Sequence, residues 1–244
     1  MRAGHETAPS APFAADSAAL LAGEGRERQQ SLREQETREL LKMLGEVGVW
    51  PVVRRYAPSE NIPPEHGNAL CILREGAIKA FRHLPRGKVD LRLFGPWDLF
   101  GRLTTAGDRL LPDSMIAATS SEVAKVPALF LERAIRARPE IQIRLSTIQE
   151  LRLLDREELA TRLMARSTQA RLADLLLWLT DRFGEDDGTI GLRLTHEELG
   201  AMIGCTREST NESLNRLRRR ELVDISRGLV IIRNFEALEQ LKQR

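Results

Sequence analysis

Four side chains with complementary hydrogen-bonding capacity fall within one short stretch: Arg207, Glu208, Asn211 and Glu212. An arginine presents two parallel donors that match O6 and N7 of guanine, and a carboxylate accepts from the amino group of cytosine. A carboxamide donates and accepts at once, as adenine requires. On a helix, positions i, i+1, i+4 and i+5 share one side, so these four predict a face that reads base edges. Thr195, Thr206, Ser209, Arg216 and Arg227 stand around them, and their donors suit phosphate oxygens, which fix register without carrying sequence. Thr195 and Thr206 are equally suited to capping helices, so for these two both roles stay open.

Such a face works only on a rigid helix, and the flanking residues supply its start and stop signals. Thr195 precedes an apolar-periodic run and Glu198 follows three residues later, the spacing of a capping box. Leu199, Met202 and Ile203 give this first helix one apolar side, while Gly200 and Ala201 leave room for a close neighbour. Gly204 can take the positive φ of a sharp helix exit. Thr206 then caps a second helix reaching to about Arg220, held inward by Leu214 and Leu217. A helix, a tight turn and a second helix with base-reading groups in its first turn form a helix-turn-helix. Leu222–Ile225 and Leu229–Ile232 flank Ser226-Arg227-Gly228 and predict a β-hairpin, a wing with Arg227 at its tip. Arg216, Arg218, Arg219 and Arg220 make a local basic cluster, which the negative end of the helix dipole also favours.

Composition narrows the alternatives. The formal net charge is +2, and residues 167–244 hold 12 Lys and Arg against 13 Asp and Glu, so a positive face must come from placement rather than excess. No apolar run approaches the roughly 18 residues needed to cross a bilayer, and the first residues lack a secretory h-region. A cytoplasmic protein without a membrane partner is therefore expected. Two cysteines, Cys71 and Cys205, are too few for a disulfide framework or a four-thiolate iron–sulfur cluster. Cys71, inside an apolar run, reads as a packed small hydrophobe and Cys205 as a structural residue of the turn. No glycine-rich phosphate loop, metal-ligand cluster or nucleophile–base arrangement is present, so no enzyme is expected.

In chain order, residues 1–30 are rich in Ala, Gly, Ser, Pro, Glu and Gln and predict a flexible tail. Ser31–Leu44 predicts a short helix with Leu40, Leu41 and Leu44 on one side, ended by Gly45 and Gly48. Short apolar runs at 70–73, 77–81, 89–94, 115–117 and 123–126 predict strands of a β-sandwich or roll, completing a domain over 31–139. Residues 140–166 form one long helix whose stripe includes Leu145, Ile148, Leu151 and Leu159. Core packing explains such a stripe too, but a helix over three heptads long between two domains points to a dimer seam. Residues 167–244 make the DNA-binding domain, opened by a helix from Ala170 to about Phe183. The fold class is α+β.

With roll, long helix, helix-turn-helix and wing in that order, the chain resembles the Crp/Fnr family of bacterial transcription regulators. The most specific likeness is Leu194-Thr195…Glu198-Leu199-Gly200…Ile203-Gly204-Cys205-Thr206-Arg207-Glu208-Ser209; Leu73-Arg74-Glu75-Gly76 and Phe100-Gly101 in the roll are shorter. The resemblance implies an N-terminal cyclic-nucleotide-binding-like β-roll, a long dimerisation helix and a C-terminal winged helix-turn-helix, working as a homodimer on double-stranded DNA. It also implies contact with RNA polymerase where transcription is activated, although no residue here marks such a patch.

The departures matter as much. Where cAMP-binding members carry a Glu for the ribose and an Arg-Ser pair for the cyclic phosphate, this chain has Arg102 and Asp113-Ser114. An Asp facing a phosphate repels it. Arg156 and Glu157 fall where those relatives place small hydroxyl residues against the adenine. A degenerate nucleotide pocket and independence of cAMP follow. Haem would need axial ligands, for which His66, Cys71 and His83 are the candidates; no cofactor is expected. Another small ligand in the roll, and a non-catalytic interaction protein, are the alternative readings. Glu212 stands where many members carry an Arg, so the third base contact should differ from theirs.

Overall fold

The structure, a computed structural model, describes residues 23–63, 69–83, 89–101, 114–165 and 167–242. Residues 1–22 of the expected tail, together with His66, Arg102 and Asp113, lie outside them. The N-terminal part runs α1 (Gly23–Glu46), β1 (Val52–Tyr56), β2 (Ala69–Glu75), β3 (Ile78–His83), β4 (Val89–Phe94), β5 (Leu99–Gly101), β6 (Ser114–Ala117) and β7 (Ser121–Pro127). After α2 (Ala128–Ala137) and the long α3 (Glu140–Ala165) come α4 (Thr168–Phe183), α5 (His196–Ile203), α6 (Arg207–Arg219), β8 (Val223–Ser226), β9 (Leu229–Ile232) and α7 (Phe235–Lys242).

The roll is two antiparallel sheets, ordered β1-β7-β2-β5 and β4-β3-β6. Strand periodicity sorts its side chains. Ala69, Cys71, Leu73, Phe100 and Val123 of the larger sheet meet Ile78, Ala80, Phe94, Met115 and Ala117 of the smaller one in the roll interior. The opposite face of the larger sheet, with Leu70, Ile72, Leu99, Ala124 and Val126, is covered by α1, α2 and α3. β2 is thus buried on both faces, which explains its unbroken apolar run.

The outer face of the smaller sheet is covered by the C-terminal domain. Leu91 and Leu93 of β4 share one apolar cluster with Leu172, Leu176, Leu199, Ile203, Leu214 and Leu217. One core therefore runs from the roll into the helix-turn-helix.

Two expectations change. First, the helix predicted from Ser31 starts at Gly23, so residues 23–30 do not belong to the tail. The Arg, Glu and Gln preceding Ser31 are good helix formers, and Arg33 anchors the helix by pairing with both Asp98 and Asp155. Second, three of the four residues assigned to a dimer seam, Leu145, Ile148 and Leu151, pack inside the protomer, while Leu159 is 44% exposed. Leu145 and Ile148 are 1% and 0% exposed against α1, α2 and the larger sheet, and Leu151 is 7% exposed. Leu159 lies on the same side of α3 and lines a cavity toward α4 and α5. The spacing was read correctly, but a three-four leucine repeat does not say whose core it enters.

Candidate nucleic-acid interface

Every start and stop signal of the helix-turn-helix is realised. Thr195 Oγ1 accepts from the Glu198 backbone N–H at 3.1 Å, and Glu198 Oε2 accepts from the Thr195 N–H at 2.7 Å, a complete capping box. Gly204 exits α5 in the left-handed conformation at φ 66°. Gly200 permits the close helix crossing, because a Cβ there would lie 2.8 Å from the Cys205 carbonyl oxygen and 2.9 Å from Thr210 Oγ1. Thr206 caps α6, accepting from the Ser209 N–H at 3.2 Å. From α4, Arg171 donates to the Ile203 carbonyl at 2.8 Å and to Cys205 Sγ at 3.4 Å, so Cys205 is part of the turn's hydrogen bonding.

These constraints turn Thr210, Ser213, Leu214 and Leu217 inward and leave Arg207, Glu208, Asn211 and Glu212 exposed on the outer side of α6. Glu208 holds its proton less tightly than an ordinary carboxyl: its own backbone N–H hydrogen-bonds the charged form, and the Thr206 hydroxyl adds to this. It is poised as an acceptor but must leave these partners to meet a base. Asn211 Oδ1 accepts from Asn215 Nδ2 at 3.2 Å, which leaves its amide donors and one lone pair for adenine. Glu212 pairs with Arg216 at 3.3 Å across one helical turn. Two residues assigned separately, one to a base and one to a phosphate, are therefore joined.

The wing forms as expected: β8 and β9 pair from Val223↔Ile232 to Ser226↔Leu229 around the two-residue turn Arg227-Gly228. Both turn residues have positive φ, 51° and 79°, as in a type I′ turn. Between the wing and the starts of α5 and α6 lies an open groove of about 750 Å³, lined by Lys79, Arg193, Thr195, His196, Arg207 and Arg227 among others. Glu197 and Glu198 line it too, and Glu198 pairs with Lys79, so the cations placed here beyond that pair are Arg193, Arg207 and Arg227. Thr195, Thr206 and Ser209 are exposed at its edge or beside it, each already engaged in capping. Arg218 and Arg219 face a different groove with Glu221, Asp224 and Arg233.

Lys79, Arg193 and His196 were not anticipated. Lys79 comes from β3 of the roll, its ammonium donating to Glu198 Oε1 at 2.7 Å and to the Arg193 carbonyl at 2.8 Å. Only strand alternation hints at it, since Lys79 points opposite to Ile78 and Ala80. A second tie joins the domains through buried charge. Asp98 accepts from Arg33 at 3.2 Å and from the Gly95 N–H at 2.8 Å, and pairs with Arg182 of α4.

Of the residues expected to mark a degenerate nucleotide pocket, Ser114 is exposed at the start of β6, and Arg156 and Glu157 are exposed on α3. Arg102 and Asp113 lie outside the described residues.

Comparison with known proteins agrees with this architecture. The cyclic nucleotide-binding domain family matches residues 63–138, and the Crp-like helix-turn-helix domain family matches residues 170–241. A CRP-like cAMP-activated global transcriptional regulator of Mycobacterium tuberculosis is 29% identical over 184 residues, covering 71% of this chain and 80% of that protein. A global nitrogen regulator of Synechocystis is 26% identical over 211 residues, covering 82% and 93%. The solved structure of a CRP-family transcriptional regulator from Thermus thermophilus superposes with a TM-score of 0.66 at 25% identity, covering 78% of this chain and 97% of that one.

Proposed function

The chain belongs to the Crp/Fnr family of DNA-binding transcription regulators, and on that premise we propose that it acts as a cytoplasmic homodimer on a twofold-symmetric site, without cAMP or haem. The observation that carries the DNA-reading part is the exposed face Arg207, Glu208, Asn211 and Glu212 beside a groove of cations. Arg207 reads guanine and Glu208 accepts from cytosine. Asn211 takes an adenine, and the Glu212–Arg216 pair excludes guanine from the neighbouring position.

Support for the dimer comes from the outer side of α3. Ile143, Thr147, Glu150 and Leu154 recur at spacings of four, three and four, and Ile143 and Leu154 remain 67% and 49% exposed. This face replaces Leu145, Ile148 and Leu151 in the seam between copies, and Leu159, 44% exposed, remains available to it. Two half-sites one helical turn apart then match the twofold axis.

Independence of cAMP is supported by the reversed charges at Arg102 and Asp113 and by bulky Arg156 and Glu157 on α3. Haem is disfavoured by Cys71, which is fully buried, with burial pushing its thiol up to about 12, whereas a ligating thiolate needs the opposite. His83 is exposed at the end of β3.

The test is binding-site selection with the purified full chain, with and without cyclic nucleotides. A palindrome with a G·C step in each half-site, unchanged by cAMP, is expected. Arg207→Ala should lose about 1–3 kcal/mol and relax that step. Asymmetric sites, or affinity that appears only with cAMP, would reject the proposal, and an absorption spectrum of the purified protein decides haem.

A further inference from the structure

DNA affinity rests chiefly on neutralising phosphates, yet the reading face of α6 is poor in positive charge. Arg207 stands beside Glu208, and Glu212 takes up Arg216 at 3.3 Å. Elsewhere in the C-terminal domain Arg182 pairs with Asp98, Arg233 with Asp224, and Lys242 with Asp174 and Glu239. With 12 Lys and Arg against 13 Asp and Glu over residues 167–244, the cations left unpaired decide where a phosphate backbone is held.

Three unpaired cations are consecutive. Arg218, Arg219 and Arg220 are exposed at the C-terminal end of α6, and among the described residues none of them makes an ion pair. The helix dipole favours cations there, but it does not set the side they occupy. At about 100° per residue, a side chain eleven positions on points within about 20° of its predecessor, so Arg218 lies over Arg207 and Arg219 over Glu208. Asn211 and Asn215, joined at 3.2 Å, continue the same face between them. At its far end Asn215, Arg218 and Arg219 open, with Arg233, onto a groove of about 680 Å³. Glu221 and Asp224 also line this groove, Asp224 being paired with Arg233.

A helix rises about 1.5 Å per residue, which places Arg218 and Arg219 about 17 Å beyond Arg207 and Glu208. The major groove is only about 12 Å wide. A helix whose first turn meets base edges therefore carries the same face past the groove floor to the phosphate rim. We propose that Arg218 and Arg219 clamp the DNA backbone at that rim, so that the C-terminal end of α6 supplies the neutralisation its reading face lacks. A phosphodiester matches a guanidinium with two parallel hydrogen bonds. Such a contact carries no sequence and fixes how α6 lies in the groove. This site rests on the DNA-reading function proposed above.

The experiment is fluorescence polarisation of the full chain on a selected and a scrambled duplex over a salt series, beside ethylation interference on the selected site. Arg218→Gln and Arg219→Gln should each flatten the plot of log affinity against log salt by about 0.9 per protomer on both duplexes, with base preference unchanged. Arg218→Lys and Arg219→Lys should keep the original slope, since counterion release counts charge rather than the fork of the guanidinium. Ethylated phosphates at the groove rim should weaken the wild type and be tolerated by the double Gln variant. Arg136→Gln, at an exposed arginine of α2, should leave the slope as it is. A double Gln variant with the wild-type slope, an equal flattening in Arg136→Gln, or a shifted base preference overturns the proposal. The first of these outcomes would assign the arginines to an acidic protein surface instead. Arg207→Ala should lose base preference yet keep the flattening that Arg218→Gln causes. Specific binding whose slope ignores Arg218 and Arg219 thus defeats this site alone, and flattening on both duplexes without any preferred sequence defeats the sequence-reading function alone.

Discussion

Replacing Arg227 by Asn should make the protein more stable and a weaker DNA binder. Arg227 is the first residue of a two-residue hairpin turn and is held at φ 51°, where an ordinary L-residue is about 1–2 kcal/mol less favourable than in its preferred regions. Asn tolerates this conformation, and turns of this type favour it there. The Arg227 side chain is exposed and makes no hydrogen bond among the described residues, so the substitution removes no hydrogen bond of the folded state. A gain of about 0.5–1 kcal/mol follows, read as a rise in melting temperature of a few degrees. On DNA, each protomer loses one phosphate contact. The plot of log affinity against log salt should flatten by about 0.9 per protomer, or about 1.8 for a dimer, with no change in preferred sequence. Thermal unfolding and fluorescence polarisation over a salt series, on a selected and a scrambled site, measure all three quantities. An Asn variant that melts lower, keeps the wild-type salt slope or shifts base preference would refute the reasoning.

Other outcomes follow from the buried charges, the long helix and the thiols. Asp98→Asn removes the carboxylate paired with Arg182 and one of the two paired with Arg33, whose side chains are 7% and 5% exposed, and should cost about 3–5 kcal/mol in denaturant titrations. Ile143→Asp should yield folded monomers in sedimentation experiments, whereas Ile148→Asp should prevent folding, because only the second faces the protomer's own core. A thiol reagent near neutral pH should modify Cys205 alone in the native protein and both cysteines after denaturation. Because burial raises Cys71 from its ordinary 9.0 to about 12, its contribution to stability is full below about pH 9. It declines as pH climbs toward 12, where the unfolded chain has released a proton the folded chain retains.

What could be read directly from residues is what short-range chemistry decides. Thr195, Glu198, Gly204 and Thr206 satisfy or redirect backbone groups within four residues of themselves, so the helix-turn-helix was legible nearly to the residue. Turn chemistry likewise located the wing. β1 was missed because four of its five residues, in Val-Val-Arg-Arg-Tyr, are exposed and do not alternate. The pattern locates α3, but Leu145, Ile148 and Leu151 enter the protomer's own core, since leucines occupy several sides of the helix and periodicity carries no label for the partner. Lys79 and Asp98 are invisible for a related reason: each acquires its contacts from residues brought in from distant parts of the chain.

The carboxylate of Asp98 also governs how the C-terminal domain can part from the roll. Two buried guanidiniums, one from α1 and one from α4, share it. A small separation would leave Asp98 with Arg33, since both belong to the N-terminal part, but would strand the Arg182 guanidinium while it is still dry. The contact therefore behaves as a latch, which resists small displacements of the C-terminal domain from the roll.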